Sequence, residues 1–132
     1  MDFPFLLHVP PVGTKGGLAV AWKMGTEIEP VFLNNHKISF LVYLDLTSSP
    51  WLASYIHAPY IWRSHRCFWQ DLDRVGFRFG SWWLLIGDFN AIISSAKKKG
   101  GRIFGSSSHS LFGNFVQDNG LVDLGFSGNP FT

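Results

Sequence analysis

Apolar and polar residues fall into short blocks along the first half of the chain and change period in the second half. Leu18-Ala19-Val20-Ala21-Trp22, opened by Gly16-Gly17, is a compact apolar run of strand type. A weaker strand is expected over 27–33 and a third over 37–44, with Asn34-Asn35 supplying the turn between them. Ser48-Ser49-Pro50 breaks the chain before a fourth strand at 51–57. Four strands joined by short turns predict an antiparallel meander. Beyond Pro59 the spacing becomes helical. Phe68, Leu72 and Val75 recur on one face, with Trp69 beside them, so a helix is expected over 64–75 with Gly76 as its stop. Five large apolar residues, Trp82-Trp83-Leu84-Leu85-Ile86, then read as a strand buried on both faces. A second helix is expected over 108–119, carrying Leu111, Phe112, Phe115 and Val116 on one face and ended by Gly120. Residues 121–124 open one more strand. The order predicts an α/β fold with mixed, not purely parallel, sheets.

The strand at 82–86 ends in Gly87-Asp88-Phe89-Asn90. In extended backbone, residues two apart share a face, so a carboxylate and a carboxamide are expected to project together from the strand end. Ends of strands in open α/β sheets are where the backbone is fixed and polar groups are free to act. A carboxylate there can hold a divalent cation or take a proton from water, and the amide can donate to an anionic oxygen. Asp and Asn after a strand are also ordinary turn formers, which is the competing reading.

Composition narrows the class. The 132 residues are 46% hydrophobic and 17% aromatic with 15% charged, enough for one collapsed domain and too apolar for global disorder. A net charge of +2 does not by itself argue for nucleic acid. Cys67 is the only cysteine, so no internal disulfide partner exists, and its expected helical position reads as a packed thiol. Residues 1–7 lack the basic start and long apolar region of a signal peptide, and no segment reaches membrane length. A soluble, intracellular protein is expected. The one dense basic cluster is Lys97-Lys98-Lys99-Gly100-Gly101-Arg102, readable either as phosphate-backbone contacts or as a solvated loop. The pair Trp82-Trp83 could offer stacking for bases, but its place in the apolar run favours core packing.

Five segments in this order resemble a known family. They are Gly16-Gly17-Leu18 with Trp22; Arg66 before Phe68-Trp69 and Leu72; Ile86-Gly87-Asp88-Phe89-Asn90; Lys99-Gly100-Gly101-Arg102; and the stretch from Leu121-Val122-Asp123-Leu124-Gly125-Phe126 to Ser127-Gly128-Asn129-Pro130-Phe131-Thr132. Together they resemble the endonuclease/exonuclease/phosphatase family, most closely the endonuclease domain of LINE-type (non-LTR) retrotransposons abundant in plant genomes. The likeness runs from about Val12 to Thr132, after a short leader at 1–11. It implies a partial four-layered α/β sandwich and Mg²⁺-dependent cleavage of phosphodiesters in DNA, and it is compatible with a nuclear location without assigning one.

Asp88 and Asn90 match the catalytic pair of the family's Gly-Asp-Phe-Asn motif, with Asp88 also the implied metal ligand. His57 occupies the position where the family commonly has a Tyr, with Tyr55 expected on the same side two residues back. Lys97, Lys98, Lys99 and Arg102 would be the nucleic-acid contacts.

The family pattern also includes an Asn and a metal-binding Glu upstream of the Gly-Gly-Leu segment and a Ser-Asp-His motif downstream. Residues 1–11 contain neither Asn nor Glu, and Thr132 falls just before the Trp that usually follows Phe-Thr. The resemblance therefore implies a fragment with weak metal affinity and no catalysis of its own. Exposed sheet edges prone to self-association are expected with it. Two other readings stay open: an active phosphodiesterase using substitute residues, and a non-catalytic nucleic-acid-binding or interaction module acting through 97–102.

Overall fold

A computed structural model describes residues 2–13, 17–44, 49–79, 82–90 and 106–125. Among these residues six strands and two helices follow one another as β1 (Phe5–Val9), β2 (Leu18–Trp22), β3 (Glu27–Asn34), β4 (Lys37–Tyr43), β5 (Trp51–His57), α1 (His65–Phe79), β6 (Trp83–Asp88) and α2 (Ser106–Asp118). A 3-10 turn, Trp62–Ser64, leads into α1. The class is mixed α/β with mixed sheets, as the sequence pattern predicts.

The pairing differs from a four-strand meander. β2 pairs antiparallel with β1, in register from Phe5↔Trp22 to Val9↔Leu18, and these two strands form a sheet of their own. The second sheet has the order β3-β4-β5-β6. Within it β3, β4 and β5 are antiparallel, and β6 joins β5 in parallel after the α1 crossover. The segment set apart in the sequence as a leader thus supplies β1. Asn34 closes the β3–β4 hairpin by accepting, at Oδ1, the backbone N–H groups of His36 (2.9 Å) and Lys37 (3.0 Å).

α1 carries its buried residues His65, Phe68, Trp69, Leu72, Val75 and Gly76 in one stripe. That stripe meets Ile56 of β5 and Phe112 and Phe115 of α2 in an aromatic cluster. Trp69 is its centre, with ring centroids 4.8 Å from Phe68, 4.9 Å from Phe112 and 5.0 Å from Phe115. Burying such side chains contributes roughly 1.5–3 kcal/mol each. A polar thread crosses the same face of the sheet: Ser39 and Ser54 share a buried hydroxyl–hydroxyl bond of 2.8 Å, and Trp83 Nε1 donates to Ser54 Oγ at 3.0 Å. Ile38 and Val42 alternate with these positions and so face the other way, yet are 0% and 5% exposed. β2 contacts β4, and Leu18 is buried, so the β1–β2 sheet covers that face. Among the described residues the layers run two-stranded sheet, four-stranded sheet, helices.

Three local expectations are corrected. Gly76 does not end α1, which continues to Phe79. The Trp83 ring lies against Gly76, where an added Cβ would collide with Trp83 Cζ3, so this glycine lets β6 approach the helix. Next, β6 is not buried on both faces. Trp83, Leu84 and Leu85 are half-buried, while Trp82 and Ile86 are 75% and 55% exposed. Being the last strand of its sheet, β6 has a neighbour on one side only among the described residues. Finally, 121–124 is irregular and forms no strand. Gly120 does end α2: it has φ +62°, Gly120 N–H donates to Gln117 C=O (3.1 Å), and Leu121 N–H donates to Val116 C=O (2.9 Å).

Lys37 is an unexpected core member. It is 0% exposed, and its Nζ has no hydrogen-bond partner among the described residues. The ammonium lies over the rings of Phe32 (4.8 Å) and Phe68 (5.0 Å). Burial pushes its pKa down to about 8, partly opposed by the charge of Asp71 on α1. Cys67, expected to be packed, is exposed on α1.

Candidate functional site

The candidate residues meet at the ends of β5 and β6. Parallel register sets His57 opposite Asp88, which places the two Cα atoms about 4.8 Å apart in neighbouring strands. Registered partners share a sheet face, so the imidazole and the carboxylate emerge on the same side. Tyr55, opposite Ile86, lies on that face as well and is 37% exposed. The frame is held by backbone bonds: Ala58 N–H donates to Asp88 C=O (2.8 Å), and His57 N–H donates to His36 C=O (2.8 Å).

The turn after β6 departs from the extended geometry expected of it. Gly87 has φ +138° and lies against β5 so closely that an added Cβ would overlap the Ile56 carbonyl oxygen. Only glycine fits both the dihedral and the space. Asn90 has φ +43°, a left-handed conformation that Asn tolerates better than most residues. Consequently Asp88 and Asn90 do not project side by side. Asp88 Oδ1 instead accepts the Asn90 backbone N–H at 2.9 Å, forming an Asx turn. The Asn90 side chain folds across to β5, where Nδ2 donates to Ala58 C=O at 2.7 Å. Phe89 anchors the turn, its ring stacked on Trp69 (6.3 Å, 9°) and Phe112 (5.1 Å, 27°).

Both turn-forming and chemical capacity are therefore present. Among the described residues Asp88 Oδ2 has no hydrogen-bond partner, nor do the second N–H of the Asn90 amide and its Oδ1. The His57 ring has no hydrogen-bond partner among the described residues. Asp88, His57 and Asn90 are thus brought together. Lys97, Lys98, Lys99 and Arg102 lie outside the described residues.

Two contributors gave no signal in the sequence. His36, in the hairpin turn, donates from Nδ1 to His57 C=O (3.0 Å) and sets its ring edge-on to Phe68. That bond fixes its tautomer and ties the β3–β4 turn to the end of β5. The Ala58 carbonyl is a backbone group with no side-chain signature. Both act through pairing that only the folded sheet creates.

Among the described residues there is no group of three or more His, Cys, Asp or Glu side chains arranged to hold a metal ion. Mg²⁺ takes near-octahedral oxygen coordination, commonly with one or two carboxylates plus phosphates and water. Asp88 offers one carboxylate with one oxygen already engaged, so these residues alone do not make a resident Mg²⁺ site. No helix among the described residues is long and apolar enough to cross a membrane. Compared with known proteins, the sequence matches no family model and no curated relative.

Proposed function

We infer that the ends of β5 and β6 are part of a phosphodiester-cleaving site of the endonuclease/exonuclease/phosphatase type, of LINE-retrotransposon ancestry, with DNA as substrate. The carrying observation is the juxtaposition of His57 and Asp88 on one sheet face, with Asn90 bonded across both strands. In this reading Asp88 Oδ2 orients or deprotonates water, His57 bonds or protonates a phosphate oxygen, and the free N–H of Asn90 donates to the same group. The two sheets and one helical layer are then part of a four-layered sandwich. Mg²⁺, where supplied, would neutralise phosphate charge. Because the described residues offer it a single carboxylate, the 132-residue chain is proposed to bind the phosphodiester without cleaving it.

Titration of the isotopically labelled chain with a thymidine dinucleotide tests this by NMR. Shift changes are expected at the amides of 57 and 87–90, and absence of any change there would sink the reading. Supercoiled plasmid with Mg²⁺ should remain intact. Nicking that disappears in Asp88→Ala would instead show a complete enzyme.

A further inference from the structure

The segment that leaves the site, from Ala58 to the first turn of α1, presents aromatic and cationic side chains to solvent from a pinned backbone. Tyr60 is 87% exposed and Ile61 56% exposed. The backbone that displays these two side chains is fixed by hydrogen bonds. Here it is held at both ends. Ala58 is bonded to Asp88 and to Asn90, and buried His65 donates from Nε2 to Pro59 C=O at 2.6 Å. Between them Ser64 N–H donates to Ile61 C=O at 3.0 Å.

Charge on this segment is one-sided. Arg63 and Arg66 are exposed, neither forms an ion pair among the described residues, and residues 58–70 contain no acid. The first turn of α1 carries no acidic side chain either, although a helix N-terminus favours negative charge. The two arginines thus add to a positive helix end with no acid on the segment to compensate. Tyr60 is two residues beyond Ala58, and Arg66 lies one turn before Trp69, whose ring stacks on Phe89 between Asp88 and Asn90.

We propose that Tyr60, Arg63 and Arg66 form a binding rim for a single-stranded polynucleotide, Tyr60 stacking on an unpaired base and the arginines contacting the phosphates on either side. The chemistry is that of single-strand binders, in which an aromatic face takes any base and cations track the backbone. A stacked duplex offers no free base face to Tyr60, so the rim selects strands or junctions whose bases are unpaired. This deepens the phosphodiester reading by naming the form of substrate, and it rests on that reading for the position of the scissile group only.

Fluorescence anisotropy of a labelled single strand of about 12 nucleotides, within the span of known single-strand sites, tests it. It is measured with the full chain in EDTA so that cleavage plays no part. Arms with DNA, RNA, the matching duplex and an abasic strand separate the sources of binding. The single strands, DNA or RNA, are expected to bind at least about tenfold more tightly than the duplex. Tyr60→Ala should weaken binding to the base-bearing strand about tenfold and leave abasic binding unchanged. Arg63→Ala with Arg66→Ala should weaken both and lower the log–log salt slope by roughly 1.4, about 0.7 for each phosphate no longer neutralised. Arg63→Lys with Arg66→Lys should restore that slope. All three side chains are exposed, so the variants keep the fold, which a circular dichroism melt verifies. Equal binding by wild type and the double alanine variant would overturn the proposal, as would a Tyr60→Ala loss that is the same on the abasic strand. Intact strand binding without dinucleotide shifts at 57 and 87–90 would sink only the cleavage-site reading, and the reverse would sink only the rim.

Discussion

The aromatic layer between the sheet and the helices contrasts with the rim where β5 and β6 end, only one residue from it in sequence. In the layer, Trp69, Leu72, Phe112 and Phe115 are at most 5% exposed, and their packing partners are interchangeable in kind. At the rim, Asp88 and Asn90 are exposed, Gly87 and Asn90 both have positive φ, and each hydrogen bond is specific. Phe89 belongs to both, with its ring in the layer and its backbone in the turn. The difference shows where stability and chemistry separate: the layer supplies free energy that offsets the strain of the turn, and Phe89 transmits one to the other.

Removing the centre of the layer should have the largest effect. Trp69→Ala deletes a ring packed against four phenylalanines, Phe68, Phe89, Phe112 and Phe115, and is expected to cost about 4 kcal/mol. For a domain of this size that lowers the thermal midpoint by more than about 10 °C, measurable by circular dichroism. Gly87→Ala attacks the rim by its backbone. The dihedral and the overlap with Ile56 C=O should together cost about 3 kcal/mol and shift the amides of 56 and 57 as β5 gives way. If Gly87→Ala proved neutral, the distinction between a tolerant layer and an exacting rim would collapse.

Lys37 sharpens the comparison because it is a polar group inside the layer. Its pKa is lower folded (about 8) than in an unfolded chain, so folding favours the neutral amine. The unfolded chain keeps the proton as pH rises from 8 towards 10.5 while the folded protein has released it. Stability from this group therefore increases across that window and is flat below it. Lys37→Met should stabilise the protein at pH 7 by about 2 kcal/mol, allowing for screening, and the gain should shrink by about pH 10. Urea unfolding of both proteins at the two pH values checks this, since other titrating groups cancel in the difference. The smallest effect on stability should come from Asp88→Asn, which keeps an acceptor for the Asn90 N–H. A change within about 0.5 kcal/mol is expected, together with loss of the dinucleotide-induced shifts at 57 and 87–90. A large destabilisation would assign Asp88 to the scaffold instead.

Two glycines illustrate how far the sequence can be read. Gly76 and Gly120 both follow helical apolar periodicity, and the same local rule makes each a helix stop. Gly120 obeys it, with the left-handed φ and paired C-terminal bonds of a capping motif. Gly76 breaks it, because Trp83, seven positions later on another element, needs the space a side chain would take. Local propensity does not distinguish the two outcomes. The same holds for the motif at 87–90, whose turn-forming and chemical readings were both legible. That its side chains fold apart, one onto the next amide and the other across to Ala58, depended on β5 lying alongside.

Local periodicity determined the strands at 18–22, 37–43 and 51–57, the two helices, the mixed α/β class and the candidacy of Asp88 and Asn90, because each rests on neighbours a few residues apart, whereas His57 became a candidate only through the family resemblance. Only the tertiary structure decided that β2 pairs with β1 instead of β3, that β6 joins β5 in parallel and is half-exposed, and that Lys37 enters the core. It alone seated His36 behind His57. Those outcomes are pairings between segments distant in sequence, and their energies come from packing and hydrogen bonds that exist only once the segments meet.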